Sequence, residues 1–238
     1  MIYVFETMGT VVSIEPPLRV PDIEAIFTDH NERFSLYLPG SELSRIATGS
    51  LRLQDASPRL RDAYARALEW RSLTAGAFTP HRPDGVIDLS GIVKAMAIEA
   101  AGLLLVGHED WILNAGGDVL TSGQSATIGI ADPFDRTQLL TSVRLGGSRR
   151  AVATSGTAER GDHIWGRRGF AQVTVVANDI VTADVLATAI VAGGVETLNA
   201  STSGWDIDVL AIDPVGNLFA TPGFTASITA AAALPAAS

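Results

Sequence analysis

The chain of 238 residues is 47% hydrophobic and 18% charged, which predicts a globular fold, and its formal net charge of −9 argues against a nucleic-acid-binding surface. It contains no cysteine, which excludes disulfide bonds, zinc–thiolate sites and a cysteine nucleophile. Because no apolar run reaches the roughly 18 residues that span a bilayer, and no basic segment of a signal peptide is visible, we expect a cytoplasmic protein without a membrane span.

The first part of the chain predicts alternating strands and helices, which Gly and Pro residues delimit. In chain order they are strands at residues 2–5 and 11–14, a helix at 21–32, an extended stretch at 34–37, a short helix from 41, and a helix from 57 to about 74. Gly9 permits the turn between the first two strands, and Ser57 with Pro58 begins the last helix. That helix ends before Gly76, a residue type that commonly follows a helix.

Residues 88–99 predict the start of a central amphipathic helix, which Ser90 or Asp88 is expected to cap. Its apolar positions follow the helical period and are Ile92, Val93, Met96, Ala97, Ala100, Leu103 and Leu104. A helix start presents free N–H groups and a partial positive charge, which suit an anionic ligand. Lys94 adds a full positive charge on the same rim. The alternative interpretation is an ordinary capped helix with a solvated lysine.

The remaining chain is predicted to be rich in strands, at residues 111–120, 127–132, 139–145, 151–154, 172–176 and 209–220, the last of which is a hairpin. Two adjacent glycines, Gly116 and Gly117, indicate a bulge or a ligand lying against the backbone. Thr182 is expected to cap a helix that ends at Gly193-Gly194. We therefore predict an α+β (mixed α/β) fold, built as a single large domain or as two intimate lobes.

Several short motifs occur in an order that resembles one protein family. They are Met8-Gly9-Thr10, Phe34-Ser-Leu-Tyr37, Ser41-Glu-Leu-Ser-Arg45, Gly76-Ala-Phe78, Asp88-Leu-Ser-Gly-Ile-Val-Lys94, Asn114-Ala-Gly-Gly-Asp118, Thr154-Ser-Gly156, His163-Ile164 and Ala183-Asp-Val-Leu-Ala-Thr188-Ala189. Each motif alone is a weak signal, whereas their shared order along most of the chain is specific. The chain resembles the ApbE family of FAD:protein FMN transferases.

The resemblance implies one flavin transferase-like domain over residues 1–238, with antiparallel-rich sheets, packed helices and an FAD site between them. It implies an enzyme that cleaves FAD at its pyrophosphate, uses Mg²⁺, attaches FMN through a phosphoester bond to a Thr or Ser of a target flavoprotein, and releases AMP. One alternative is an FAD pyrophosphatase that forms FMN and AMP. A non-catalytic FAD-binding protein is the other.

Asp184 and Thr188 are four residues apart, so a helix presents both on one face. A carboxylate and a hydroxyl oxygen suit a hard cation such as Mg²⁺. The resemblance implies that the main-chain carbonyl of Gly91 supplies a third oxygen. The alternative is that Asp184 supports the helix dipole and Thr188 bonds back to its own helix.

The resemblance also implies contacts with FAD at Met8, Tyr37, Ala77, Phe78, Thr79, Asp88, Lys94 and Ile164. Thioethers and aromatic rings pack well on a flat ring system, although core packing is an equally simple role for Met8 and Tyr37. Asp88 either accepts a hydrogen bond from the ligand or only caps the central helix. Asp118 either binds or closes its own turn. Thr79 stands where the family commonly has Asp.

The resemblance implies that His163, one of 4 histidines, is the catalytic base. A neutral imidazole can take the proton from a hydroxyl that attacks phosphorus. The sequence that follows, His163-Ile-Trp-Gly-Arg-Arg-Gly169, departs from the family pattern H-I-x-D-P-x-T-G. The alternative is a loop histidine without a catalytic role.

Overall fold

The structure of the protein, a computed structural model, describes residues 2–18, 21–156 and 169–230. The helices are α1 (Pro21–Phe34), α2 (Glu42–Ala47), α3 (Pro58–Leu73), α4 (Ser90–Leu104), α5 (Ile180–Gly204) and α6 (Pro222–Ser227). The strands are β1 (Tyr3–Thr7), β2 (Thr10–Glu15), β3 (Ile112–Ala115), β4 (Asp118–Thr121), β5 (Ala126–Ala131), β6 (Leu139–Leu145), β7 (Ala151–Gly156), β8 (Gln172–Ala177), β9 (Asp208–Ile212), β10 (Leu218–Ala220) and β11 (Ile228–Ala230).

The strands form two antiparallel sheets. The main sheet has eight strands in the order β1-β2-β3-β4-β7-β8-β9-β10, and the second has three in the order β11-β6-β5. In the main sheet, Val12 of β2 lies opposite Ala115 of β3, and Thr154 of β7 lies opposite Thr174 of β8. The predicted α+β fold with antiparallel-rich sheets and packed helices is therefore confirmed.

The main sheet carries a different layer on each face, since successive side chains of a strand point in opposite directions. Along β8, Val173 and Val175 belong to the larger core, which the helices α1, α3, α4 and α5 complete. Val176 instead belongs to a second core, where Val143 of the small sheet and Phe224 of α6 cover the opposite face. Because both cores share one sheet, the chain forms a single domain.

Helix α4 is buried on most of its surface rather than along one stripe. It packs against α1, α5, β3 and β4. Leu103 is 70% exposed, whereas Ile98 and Gly102 are buried, so the predicted apolar stripe is wrong at its C-terminal end. Contact with four elements places the buried residues around the helix and not on a single face. The start of the helix also differs from the prediction, because Ser90 is its first residue and Leu89 occupies the cap position.

Helix α5 begins before its predicted start and consists of two helical segments that meet at Gly194. The side chain of Asp179 accepts a hydrogen bond from the Thr182 N–H at 2.8 Å, so Asp179 and not Thr182 is the cap. Gly194, whose φ and ψ are 68° and −152°, breaks the helix at the predicted glycine pair, and a second helical segment that was not predicted follows to Gly204. Gly169 packs closely there, and a Cβ on Gly169 would lie 2.5 Å from Gly194 Cα.

By length and composition, α5 is also apolar enough to cross a membrane, with a mean hydropathy of 1.5 over its most apolar window. The sequence was not expected to contain such a segment. Of that window, 67% is buried inside the protein. Packing against α4, β7 and β8 accounts for the apolar composition of a core helix.

Two further segments differ from their predictions. Residues 111–120 form a hairpin and not one bulged strand, because Gly116 and Gly117, with φ of 61° and 93°, make a tight turn between β3 and β4. Two positive φ values in a two-residue turn match the twist of hairpin strands. Phe34 is the last residue of α1, and the chain then bends, so the extended stretch predicted at 34–37 is wrong.

Replacement of Gly194 by alanine is expected to destabilise the protein by about 1–3 kcal/mol, because its φ and ψ fall in a region that is almost restricted to glycine. Gly204→Ala is the control on the same helix, since a Cβ there meets no atom within 4 Å. Urea denaturation of the two variants compares the free energies of unfolding. Equal urea midpoints for the two variants would show that alanine adopts the backbone conformation of Gly194 without strain.

Candidate functional site

An open groove of about 770 Å³ lies where the β1–β2 turn and the β3–β4 turn meet the start of α4. The C-terminal end of α1 and the bend that follows it form another wall. Four of the predicted FAD contacts line the groove, and these are Met8, Tyr37, Asp88 and Lys94. The structure thus brings together residues from distant parts of the sequence in one concave site of a size typical for small-molecule ligands.

Two glycine-containing turns dock against each other to form the wall near β2. Met8 and Gly9 both have positive φ, which closes the turn between β1 and β2. A Cβ on Gly116 would overlap the Thr10 hydroxyl, so only glycine permits this approach of the β3–β4 turn. The motifs at 8–10 and 114–118 therefore meet in space as one wall of the groove.

Tyr37 and Met8 occupy different environments in this groove. Tyr37 is 79% exposed, which excludes the alternative that it is a core residue. Met8 is partly buried and packs against the helical core, while it also lines the groove. Phe34, Leu36 and Leu38 add apolar surface beside them. This part of the groove suits the face of a flat heterocycle.

Lys94 is buried and paired, so the interpretation of a solvated lysine is wrong. It is 8% exposed, and its Nζ lies 2.6 Å from Oδ2 of Asp118, a residue with no exposed surface. The Asp118 Oδ1 atom accepts a hydrogen bond from the Thr154 N–H at 3.3 Å. The β3–β4 turn is closed instead by Asn114, whose Oδ1 accepts from the Gly117 N–H. Asp118 therefore holds Lys94 in place and does not itself face the groove.

Asp88 supports the start of α4 and also lines the groove. Its Oδ1 atom accepts a hydrogen bond from the Ser90 N–H at 2.9 Å, and its own N–H donates to the Pro80 carbonyl at 2.8 Å. These bonds fix the loop that leads into the helix. Asp88 therefore supports the start of α4, as one of its two predicted roles required. Because it also lines the groove, its carboxylate is within reach of a ligand.

Three predicted FAD contacts lie outside the lining of this groove, and these are Ala77, Phe78 and Thr79. The Phe78 ring is buried beneath the first turn of α4, where a Cβ on Gly91 would lie 3.0 Å from Phe78 Cε2. The Thr79 hydroxyl accepts a hydrogen bond from the His81 N–H at 3.3 Å. Ala77 lies beside Gly193 of α5. Their side chains support the elements around the groove, and their contact with FAD stays a prediction.

Asp184 and Thr188 lie on successive turns of α5, as their spacing predicted. Asp184 is 1% exposed, and it lies beyond the first turn, where support of the helix dipole is weak. The Thr188 hydroxyl contacts the Ser155 hydroxyl of β7 at 3.0 Å and not its own helix. Helix α5 packs against α4, which carries Gly91 in its first turn.

These groups fit a magnesium ion by their chemistry. A carboxylate, hydroxyls and a main-chain carbonyl are hard oxygen donors, and Mg²⁺ usually completes its octahedron with waters and substrate phosphates. Within residues 2–18, 21–156 and 169–230, no cluster of three His, Asp or Glu side chains forms a metal cage. A site with few protein ligands is the kind that Mg²⁺ uses with phosphate substrates.

His163 and Ile164 lie outside the described residues. The described chain stops at Gly156, which pairs with Gln172 of β8, and resumes at Gly169 beside Gly194. Because Ser155 contacts Thr188, this end of β7 lies next to the predicted metal donors.

A sequence model of the ApbE family matches residues 79–210, which is more than half of the chain. The chain belongs to the ApbE family. The match includes α4, the β3–β4 hairpin and the α5 residues Asp184 and Thr188. It leaves out Met8 and Tyr37, whose placement in the groove rests on the fold. No curated protein sequence matches the chain significantly.

Solved structures of ApbE proteins have the same fold. An ApbE protein from Thermotoga maritima MSB8 is similar with a TM-score of 0.78 and 21% identity, over 97% of this chain and 99% of that chain. The flavin transferase ApbE from Vibrio cholerae has a TM-score of 0.73 and 21% identity, over 95% of this chain and 98% of that chain. The apo form of the Pseudomonas stutzeri flavinyl transferase ApbE has a TM-score of 0.76 and 16% identity, over 96% of this chain and 97% of that chain.

Two cationic or basic side chains that line the groove in this ApbE family member were not predicted from its sequence. They are His30, near the end of α1, and Arg82, in the loop before α4. Neither lies in a recognisable motif. For His30, one signal was available, because it precedes Phe34 by four residues and both fall on one face of the predicted α1.

Removal of one charge from the Lys94–Asp118 pair is expected to destabilise the protein strongly. Asp118→Ala leaves a buried ammonium group without its partner, which typically costs about 3–5 kcal/mol. Asp55→Ala is the matched control, since Arg52 Nε also lies 2.6 Å from Asp55 Oδ2 but both side chains are well exposed. That variant is expected to lose less than about 1 kcal/mol.

The double variant Lys94→Met with Asp118→Leu tests whether the loss comes from the unpaired charge. Replacement of a buried ion pair by apolar residues of similar size is often nearly neutral, so stability should largely return. Urea denaturation gives the free energy of unfolding of each variant. Equal losses for Asp118→Ala and Asp55→Ala would contradict the role assigned to the buried pair.

Proposed function

We propose that the protein is an Mg²⁺-dependent FAD:protein FMN transferase, which attaches FMN to a Thr or Ser hydroxyl of a target flavoprotein and releases AMP. Membership of the ApbE family supports this class of reaction. The similar structures from V. cholerae and P. stutzeri bear the names flavin transferase and flavinyl transferase. The observation that carries the proposal is the groove, which is lined both by Lys94, fixed by its ion pair with Asp118, and by apolar side chains.

The pyrophosphate of FAD is assigned to the charged part of the groove. Lys94 and Arg82 supply positive charge, and the first turn of α4 adds the partial positive charge of a helix start. Because Asp118 fixes Lys94, little reorganisation is needed when a phosphate arrives. Met8 and Tyr37 then pack against one of the two ring systems of FAD.

The Mg²⁺ donors in this proposal are the Asp184 carboxylate, the Thr188 hydroxyl and the Gly91 carbonyl. When bound, Mg²⁺ neutralises charge on the pyrophosphate and helps to align the leaving AMP. Asp184 supplies a negative charge from a buried position. Ser155 holds the Thr188 hydroxyl in place through their 3.0 Å contact.

The remaining step is transfer of a proton from the acceptor hydroxyl, which we assign to His163. The hydroxyl oxygen forms a bond to the phosphorus of the FMN half, and the pyrophosphate P–O bond to AMP breaks. The proton of the hydroxyl passes to the imidazole as the bond forms. The target flavoprotein docks so that its Thr or Ser reaches this phosphorus.

Incubation of the chain with FAD and MgCl₂, with and without a candidate flavoprotein, tests the proposal directly. Chromatography separates FAD, FMN and AMP, and fluorescence of a denaturing gel detects protein-bound flavin. Bound flavin with AMP supports the transferase. Free FMN with AMP indicates an FAD pyrophosphatase. Intact FAD indicates a non-catalytic FAD-binding protein. The departure of residues 163–169 from the family pattern is the observation that supports this alternative.

Asp184→Asn is expected to reduce AMP release by at least about 100-fold, because loss of a direct ligand should exceed the 10- to 100-fold effect typical of groups that only support a metal ligand. Glu196→Gln makes the same change of charge at an exposed position of α5 and should leave the rate unchanged. The assay follows AMP release against MgCl₂ concentration. An Asp184→Asn variant with the wild-type Mg²⁺ dependence would exclude Asp184 as a ligand.

His163→Ala is expected to slow AMP release by about 100-fold, at the lower end for acid–base groups, because positioning and charge dominate phosphoryl transfer. The wild-type rate should rise with pH near the ordinary imidazole pKa of about 6.5, and this rise should be absent in the variant. His108→Ala, at an exposed position, serves as the control. Retention of the same pH dependence in His163→Ala would show that another group is the base.

A further inference from the structure

His30 lies on the groove wall and has no part in the roles assigned so far. It belongs to the last turns of α1 and lines the groove together with Asn31 and Phe34. Its ring contacts the Phe34 ring, with the centroids 5.6 Å apart. Apolar packing thus fixes the plane of the imidazole at the edge of the apolar part of the groove.

The hydrogen bond of the His30 ring decides which nitrogen carries the proton. Nδ1 lies 2.8 Å from the carbonyl oxygen of Ile26. A carbonyl oxygen only accepts, so Nδ1 is the donor and holds the proton. In the neutral ring, Nε2 is then unprotonated and acts only as an acceptor.

The Nε2 atom is available to a ligand. It has no hydrogen-bond partner among the described residues, and it is not one of the side-chain nitrogens closed off from solvent there. Nδ1 points back to the carbonyl of its own helix. Nε2 lies on the other side of the ring from that bond, and His30 is one of the residues that line the groove.

The surroundings keep this imidazole neutral near pH 7. Burial lowers the pKa of His30 below its ordinary value of 6.5, and the positive charges of Arg59 and Arg33 act in the same direction. The Ile26 carbonyl and the Asp29 carboxylate oppose this shift, but Asp29 is paired with both arginines. The other charged groups that line the groove are Arg82, Asp88 and Lys94.

We propose that His30 Nε2 accepts a hydrogen bond from an N–H group of the FAD heterocycle that lies against the apolar part of the groove, and so selects for a ring with that donor. The inference rests on the proposed function. An acceptor beside Phe34 and Tyr37 favours a ring edge that presents an N–H. It disfavours a carbonyl oxygen or an unprotonated ring nitrogen at the same place.

FAD carries such a donor in two places, the imide N–H of the isoalloxazine and the amino group of adenine. His30→Phe removes the acceptor and keeps an aromatic ring against Phe34. The Kd for FAD, from calorimetry without turnover in the absence of Mg²⁺, is expected to rise about 3- to 10-fold. His30→Gln retains an acceptor oxygen and is expected to recover part of the affinity. His108→Phe, at an exposed position, should bind FAD as the wild type does.

Two analogues identify the donor. FAD methylated at the imide nitrogen lacks the isoalloxazine N–H, and FAD with unsubstituted purine in place of adenine lacks the amino group without gaining another N–H donor. The analogue that has lost the relevant donor should bind wild type and His30→Phe with equal affinity. The other analogue should keep the difference seen with FAD.

The dependence of binding on pH gives a second measurement. As the pH falls through the lowered pKa of His30, Nε2 becomes protonated and turns from acceptor to donor, so the wild-type Kd for FAD should rise. In His30→Phe, the rise from this group should be absent. Thermal melts monitored by circular dichroism check that the variants are folded.

Equal FAD affinity in wild type and folded His30→Phe overturns the assignment. So does a loss that is the same for FAD and for both analogues, because the side chain then only fills space. A wild-type chain that binds no FAD overturns the proposed function, and the assignment falls with it. The wild-type measurement therefore separates the two failures.

Discussion

The buried ion pair of Lys94 and Asp118 is the interaction on which the groove depends. It joins the start of α4 to β4, and through the Thr154 N–H it reaches β7. Burial of two charges is costly unless each is well satisfied, so the pair tolerates only one relative position of these elements. That position places a positive charge beside the start of a helix, where an anionic group is favoured.

The rest of the site follows from how closely the surrounding elements approach each other. Gly116 lets the β3–β4 turn dock on Thr10, and Gly91 leaves room for the Phe78 ring under α4. The bend after α1 is held by the Ser35 carbonyl, which accepts a hydrogen bond from the Ser44 hydroxyl at 3.0 Å. Small residues and short polar contacts thus shape the walls, while a few longer side chains face the ligand.

The sequence predicted elements with strong local signals and failed where tertiary contacts decide. The hairpin at 209–220 and the start of α3 have distinct turn and cap residues, and both predictions are confirmed. Asp179 and Thr182 are both good cap residues, so local chemistry alone did not distinguish them. Gly193 and Gly194 predicted a helix end, and the helix does break there, but the helical segment that follows to Gly204 was not predicted. The partner of Lys94 was beyond prediction, since Asp118 is on a different element.

The candidate site was likewise predicted only in part, because sequence motifs identify functional residues but not the residues that they contact. Met8 and Lys94 were predicted and share the groove, whereas the link between the two polar parts of the site emerges only in three dimensions. Thr154 donates its N–H to Asp118, and the next residue, Ser155, contacts Thr188. Two consecutive residues of β7 therefore connect the cation that faces the groove with the predicted metal donors of α5. Since a strand fixes the spacing of adjacent residues, β7 sets the distance between the groups assigned to phosphate and to Mg²⁺.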